Sequence, residues 1–124
     1  MMQRTAARVP LIVAIAHLAG CRVAGSEHLQ GHWRGVRAEG VSPDAASAAN
    51  AFAAGMDLSV KGDTLAITTP RERQSGRYRV IFESPTKLVI TTEKDATPET
   101  FTFVDSRTLK WAVSDGKAIV FVKE

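Results

Sequence analysis

The chain has 124 residues, of which 44% are hydrophobic and 23% are charged, and its formal net charge is +3. This length predicts one domain, and the composition is ordinary for a globular protein. Because this net charge is small, we expect no nucleic-acid partner. The sequence has no run of about 20 apolar residues, which is the length of a transmembrane helix.

The first 20 residues predict a secretory signal peptide. Residues 1–8 carry Arg4 and Arg8 and no acidic residue, and residues 11–16 are apolar. A basic segment followed by an apolar one is typical of such a signal, and residues 18–20 supply small or aliphatic side chains before a cut. Loss of these two arginines from the 16 basic residues leaves 14 against 13 acidic residues, so the mature chain is nearly neutral.

Residues 18–21 read LAGC, and this stretch resembles the lipobox of bacterial lipoproteins. The resemblance implies cleavage between Gly20 and Cys21 and attachment of diacylglycerol and palmitate-like chains to Cys21, which would be the membrane anchor. Two acyl chains hold a protein at a membrane where one binds only reversibly. The resemblance also implies a cell-envelope location, with the outer membrane facing the periplasm favoured because Arg22, rather than aspartate, follows the anchor. The alternative is a plain signal peptide with a chance cysteine.

Cys21 is the only cysteine, so no disulfide can stabilise the mature chain. Residues 21–30 predict a short, lipidated polar tether in which His28 is solvated. Residues 31–39 predict the first strand of the folded domain, with Trp33 as its large aromatic side chain. We therefore expect a domain that spans residues 31–124 and lies close to the membrane.

A helix is predicted after this strand. Ser42 is a capping residue, Pro43 suits the first helical position, and Asp44 favours the positive end of the helix dipole. An alanine-rich run follows, and Gly55 can end it in a left-handed cap. Since the apolar face is thin, we expect a lid or strut of about three turns.

From Met56 onward, apolar and polar residues alternate, which is the period of a strand with one buried face. About seven short runs of this kind follow the helix, separated by turns and by polar loops over residues 70–75 and 95–98. Short connections exclude the long crossovers that parallel strands need. The pattern predicts a mainly β fold, a small antiparallel up-and-down barrel of about eight strands with one short helix after the first strand, because closure removes unpaired edges.

The last hairpin has two candidate registers. A two-residue loop at residues 115–116 places Val120 on the face of Trp111. A three-residue loop with a glycine bulge instead pairs Leu109 with Phe121 on that face. The sequence leaves both registers open.

Residues 31–33 read GHW, and they are similar to the G-x-W that opens the first strand of lipocalins. In that family the tryptophan closes one end of the barrel and a basic side chain from the end of the chain covers it. The resemblance implies these roles for Trp33 and Lys123. The family's T-D-Y stretch and its long helix after the barrel are absent, so the resemblance implies an abridged, lipocalin-like domain.

Six aromatic side chains are candidates either for the lining of a ligand pocket or for the barrel core. A narrow eight-stranded barrel can be filled by its own side chains, whereas the same set could enclose a small apolar molecule. The tyrosine stands out, because a buried phenol needs a polar partner or a polar ligand. The six are Trp33, Tyr78, Phe82, Phe101, Phe103 and Trp111.

Two surface features also have alternative interpretations. Ile81, Val104 and Val122 are predicted on the outer face, where they would suit a protein partner in the envelope. The arginines at positions 71, 73, 77 and 79 would suit anionic lipid headgroups, or they form a solvated loop and strand face.

No pattern of catalytic or metal-binding residues is found. His28 and His32 are the histidines that remain after cleavage, and they lack the spacing of zinc ligands. Neither a nucleophile motif nor a phosphate-binding glycine loop occurs, so we expect no enzyme, no cofactor and no metal site. The sequence predicts a membrane-anchored envelope lipoprotein: either a module that binds a small apolar or amphipathic ligand, or an interaction domain with a filled core.

Overall fold

Eight antiparallel strands close into one barrel in the computed structural model, which describes residues 25–124. Each strand pairs with the next along the chain, and the last pairs with the first. This confirms the predicted mainly β, antiparallel barrel with a short helix after the first strand. The predicted signal peptide and Cys21 lie outside the described residues. The elements are α1 (Gly25–Leu29), β1 (Gly31–Glu39), α2 (Pro43–Ala54), β2 (Asp57–Lys61), β3 (Thr64–Thr68), β4 (Arg73–Glu83), β5 (Lys87–Thr92), β6 (Asp95–Asp105), β7 (Thr108–Ser114) and β8 (Lys117–Lys123).

The interior of the barrel is built from the apolar side of alternating strands. On β2, Leu58 and Val60 are buried and Ser59 between them is exposed. On β5, Leu88 and Ile90 are buried in the same way. Burial of apolar area contributes about 25 cal/mol per Å², and it is the main stabilising term because no disulfide is present.

One end of the barrel, where β1 begins and β8 ends, is filled by Trp33; we call it the closed end. The Trp33 side chain is fully buried, and its Nε1 donates to the carbonyl oxygen of Leu29 at 2.8 Å. The Lys123 Nζ lies 5.1 Å from the centre of the Trp33 ring, within the range of a cation–π interaction. Trp33 and Lys123 therefore have the positions that the sequence resemblance implied.

The described part of the predicted tether, residues 25–30, includes α1 and packs against the closed end of the barrel. Leu29, the last residue of α1, is fully buried. His28 packs edge-on against Phe103 at 5.1 Å, and its Nδ1 is buried without a hydrogen-bond partner within residues 25–124. The prediction of a solvated His28 is therefore wrong, because the chain folds back to cover Trp33 and buries Leu29 in doing so.

At the other end, the open end, α2 packs on the inner face of β1. Ala53 is fully buried, and a Cβ placed on Gly35 would overlap its carbonyl oxygen. The Gly35 N–H donates to the Met56 carbonyl at 2.9 Å, and the Ala38 N–H donates to Asn50 Oδ1 at 2.8 Å. Asn50 of α2 and Met56 just after it thus supply hydrogen-bond partners to β1 beyond the residues that pair with β2.

The helix has the predicted position, and its 12 residues make about three turns. Its ends differ from the prediction. The side chain of Ser42 makes no capping hydrogen bond, and Gly55 has a φ of −92° rather than a left-handed conformation. The Gly55 N–H instead bonds back to the Phe52 carbonyl at 3.1 Å.

Two strands start earlier than predicted, and a bulge reverses one predicted side-chain direction. β4 begins at Arg73 and β6 at Asp95, inside the predicted loops, because β3 and β5 supply their hydrogen-bonding partners. In β4, the register shifts between Val80 and Phe82. One extra residue moves the following side chain to the opposite face, so Phe82 is 52% exposed and its assignment to core or pocket is wrong.

The last hairpin combines features of both candidate registers. Asp115 and Gly116 form a two-residue turn with φ values of 33° and 76°. A bulge in β7, between residues 112 and 114, shifts the pairing. Leu109 consequently pairs with Phe121, as the alternative with a glycine bulge predicted, and Phe121 is fully buried in the core.

Candidate functional site

The open end of the barrel holds a cavity of about 350 Å³. This volume lies within the range of small-molecule sites, about 300–1,000 Å³. All the residues that line it belong to β3, β4, β5, β6 and β7 or to the turns between them. They are Leu65, Ile67, Thr69, Glu72, Gln74, Ser75, Gly76, Ile90, Thr92, Lys94, Asp95, Glu99, Phe101 and Trp111.

The floor of the cavity is apolar and aromatic. Leu65, Ile90 and Phe101 are exposed by 6%, 1% and 1%. The Phe101 ring stacks against Trp111 with centroids 6.3 Å apart and planes inclined by 24°, since β6 and β7 pair these two residues directly. Such a surface accepts an alkyl chain or a ring.

Above the floor, Glu99 faces the interior of the barrel. It lies two residues before Phe101 on β6 and opposite the buried Ile90 on β5, so strand alternation directs its side chain inward. Glu99 is half-buried. Trp111 Nε1 donates to Glu99 Oε1 at 2.8 Å, and this bond holds the carboxylate and the indole together in the cavity wall.

Exposed charged residues surround the opening, namely Glu72, Lys94 and Asp95. Gln74 Nε2 donates to Glu72 Oε2 at 3.0 Å. The Thr97 backbone N–H donates to Asp95 Oδ1 at 2.9 Å and keeps the pKa of that carboxyl below its usual 3.8, so the group is ionised at neutral pH. Within residues 25–124, none of the cavity's three carboxylates forms an ion pair with a basic side chain.

A glycine widens the cavity wall on β4. Gly76 pairs with the buried Leu65, which places it on the inner face without a side chain. A Cβ at this position would meet Glu93 Oε1 at an ordinary contact distance of 3.6 Å. A larger side chain at residue 76 would therefore extend into the cavity without overlapping the backbone.

Of the six aromatic candidates, one faces solvent, as described above, and the other five are divided between the two ends. Phe101 and Trp111 line the cavity. Trp33 and Phe103 pack together at the closed end with ring centroids 6.4 Å apart. Tyr78 is partly buried beside the core and does not line the cavity. The candidate set thus supplies both core and pocket.

Tyr78 has its polar partners within the protein. Its Oη donates to the Gly62 carbonyl at 2.9 Å, and Gln30 Nε2 donates to the Tyr78 Oη at 3.3 Å. Burial raises the pKa of Tyr78 above its ordinary value of 10.0, and the hydrogen bond from Gln30 opposes this shift. The phenol therefore links Gln30, just after α1, to the β2–β3 turn.

Since Tyr78 is the only tyrosine, the ultraviolet absorbance of the phenolate reports its ionisation directly. We expect it to titrate above pH 10.0 in the folded protein. The folded state holds the proton more tightly than the unfolded state, so this contribution to stability is complete below the ordinary pKa and is lost as the pH rises through the raised one. Urea midpoints should therefore fall more steeply with alkaline pH in the wild type than in Tyr78→Phe; identical slopes would contradict this.

The sequence did not single out Glu99 or Gly76. A signal for Glu99 was present, because Glu99, Phe101 and Phe103 alternate on one strand face, but the predicted loop just before them hid it. Gly76 carries no such signal, since a glycine within a strand pattern equally indicates a bulge or a turn.

Charged residues outside the cavity form surface pairs. His32 lies between Glu124, at 2.8 Å, and Asp57, at 3.2 Å. Arg77 pairs with Asp63 at 3.0 Å, and all four arginines at positions 71, 73, 77 and 79 are exposed. No group of three His, Cys, Asp or Glu residues in the described part of the chain is arranged to hold a metal ion.

Comparisons with protein families, with curated proteins and with solved structures find no match for this chain. Among the helices of residues 25–124, none has the length and apolar character to cross a membrane. The cavity is therefore interpreted from its own geometry and chemistry.

Proposed function

We propose that the protein is a membrane-anchored envelope lipoprotein that binds a small amphipathic ligand at the open end of its barrel. The observation that carries the proposal is the cavity of about 350 Å³, which has an aromatic floor and a polar opening. A ligand whose apolar part contacts Phe101 and Trp111, and whose polar part lies at the opening, matches this change from an apolar floor to a polar opening.

The anchor is supported by the LAGC stretch of residues 18–21. Cys21 precedes the first described residue, Gly25, by four positions, which span at most about 14 Å when extended. Acyl chains on Cys21 would therefore keep the closed end near the bilayer and leave the open end accessible to ligands. Arg22 after the anchor favours the outer membrane facing the periplasm in a Gram-negative host.

Incorporation of labelled palmitate tests the anchor. We expect the wild type to be labelled and to begin at Cys21, and we expect Cys21→Ser to carry no label. Equal labelling of the two proteins, or a native protein that begins upstream of residue 21, would rule the anchor out.

Native mass spectrometry of protein purified from its own membranes tests ligand binding. A small molecule should accompany the wild type and be lost from Gly76→Leu, whose side chain extends into the cavity while the barrel stays folded by circular dichroism. Wild-type protein that is free of ligand in several independent preparations would count against the binding function.

A second candidate function is an interaction domain of the envelope. It is supported by Ile81, Phe82 and Val104, large apolar side chains that are 56%, 52% and 56% exposed. Exposed apolar side chains that form one patch mark protein–protein interaction sites. Crosslinking in native membranes tests it: Phe82→Ser should lose a protein adduct that Val113→Ser, a change at the opposite end of the barrel, retains. Adducts that are unchanged in Phe82→Ser would exclude this face.

A further inference from the structure

We infer that the ligand is an amphiphile with a cationic head group, a protonated amine or a quaternary ammonium, attached to a short apolar part. The inference rests on the proposed binding function and names the ligand class of the same cavity. It follows from three features of the cavity wall: the balance of charge, the position of Glu99, and the aromatic pair beside it.

The charge of the lining is mainly negative. Three carboxylates, those of Glu72, Asp95 and Glu99, face one lysine, Lys94. Their hydrogen bonds come from neutral donors, namely the side chain of Gln74, the backbone of residue 97 and the indole of residue 111. Since the ion pairs of residues 25–124 involve none of these carboxylates, their charge is available to a ligand.

The position of Glu99 indicates that the head group of the ligand is positively charged. The Glu99 side chain is half-buried and faces inward, two residues before the buried Phe101 on the same face of β6. A ligand that fills the cavity must displace water from this carboxylate, and a desolvated charge is costly unless it gains a partner of opposite sign. A neutral ligand supplies no such partner, and an anionic ligand adds repulsion, whereas an ammonium group compensates the lost hydration.

The aromatic pair favours the same ligand. Trp111 is bonded to Glu99 through its indole N–H, and its ring stacks against Phe101. The face of an indole attracts cations, and tryptophan is the strongest of the aromatic side chains in this respect. A carboxylate and an indole held 2.8 Å apart form a recognition element for a cation, and Leu65 and Ile90 below them accept its apolar part.

The test compares three probes with the same short chain: hexyltrimethylammonium, hexanol and hexyl sulfate. Isothermal titration calorimetry is carried out on the full chain carrying Cys21→Ser, which keeps every described residue and bears no competing acyl group. We expect the ammonium probe to bind about tenfold more tightly than hexanol and more tightly still than the sulfate. Glu99→Gln should reduce the preference for ammonium over hexanol by about the same factor and leave hexanol binding unchanged.

Glu27→Gln is the matched control, because it removes the same charge from the exposed surface of α1 at the closed end and should leave all three affinities unchanged. Gly76→Leu should weaken all three probes. Equal affinities for the three probes, or a preference for ammonium that remains in Glu99→Gln, would overturn the inference of a cationic head group. In that case, loss of probe binding in Gly76→Leu would still support the cavity as the ligand site. Failure of every probe to bind overturns both this inference and the proposed binding function.

Discussion

Replacement of Trp33 by alanine is expected to lower the free energy of unfolding by about 3–5 kcal/mol. The side chain is fully buried, packs against Phe103 and donates to the Leu29 carbonyl. Alanine would leave a void at the closed end, remove the partner of that carbonyl and expose the inner side of α1. Urea unfolding followed by circular dichroism measures the loss.

Two control variants separate these contributions. Trp33→Phe keeps an aromatic ring and loses the hydrogen bond to Leu29, so its loss should be intermediate, about 1–3 kcal/mol. Trp111→Ala removes the other tryptophan, which is only half-buried at the open end, and should cost less than Trp33→Ala. Equal losses for Trp33→Ala and Trp111→Ala would contradict the role of Trp33 in closing the barrel.

Gly35→Ala is expected to lower the free energy of unfolding by about 2–3 kcal/mol, although it adds a single methyl group. The new Cβ would overlap the carbonyl oxygen of Ala53, which is backbone and cannot rotate away. The last turn of α2 would have to move, which would strain the hydrogen bond from the Gly35 N–H to Met56. Urea unfolding gives the energy, and faster hydrogen exchange at residue 35 reports the displaced helix.

Gly76→Ala is the matched control for Gly35→Ala. Both glycines lie on the inner face of a strand, and neither has a positive φ. The added Cβ at residue 76 meets only the flexible side chain of Glu93 at 3.6 Å. Since glycine weakens a strand by about 0.5–1 kcal/mol relative to alanine, this variant should be as stable as the wild type or more so. A Gly35→Ala protein as stable as Gly76→Ala would show that α2 does not rest on β1.

Features that depend on local alternation were predicted well. The inward directions predicted for Phe101 and Phe103 follow from the period of two on their own strand, and the structure confirms them. Phe82 was misplaced, although it continues the same kind of pattern, because the bulge in β4 adds a residue to one strand only. A bulge is selected by the pairing of two strands around a closed barrel, and one strand's sequence does not specify it.

The candidate site shows the same division. The pairing of Phe101 with Trp111 follows from the predicted strand alternation once the register of β6 on β7 is known. Glu99 was hidden because a polar stretch with proline was interpreted as a loop, whereas β5 extends the strand to Asp95. The cavity itself is an absence of side chains, in part at Gly76, and it exists only where the inner faces of five strands meet.

The sequence by itself determined the class of this fold, because alternating side chains, short turns and a single alanine-rich helix are local properties that lead to one antiparallel barrel. It also supplied the LAGC stretch on which the proposed membrane anchor rests. Only the tertiary structure decided that Leu29 covers Trp33, that Phe82 faces outward and that Glu99 looks into a cavity. These three features depend on contacts between distant parts of the chain, because a side chain is buried only where another segment packs over it.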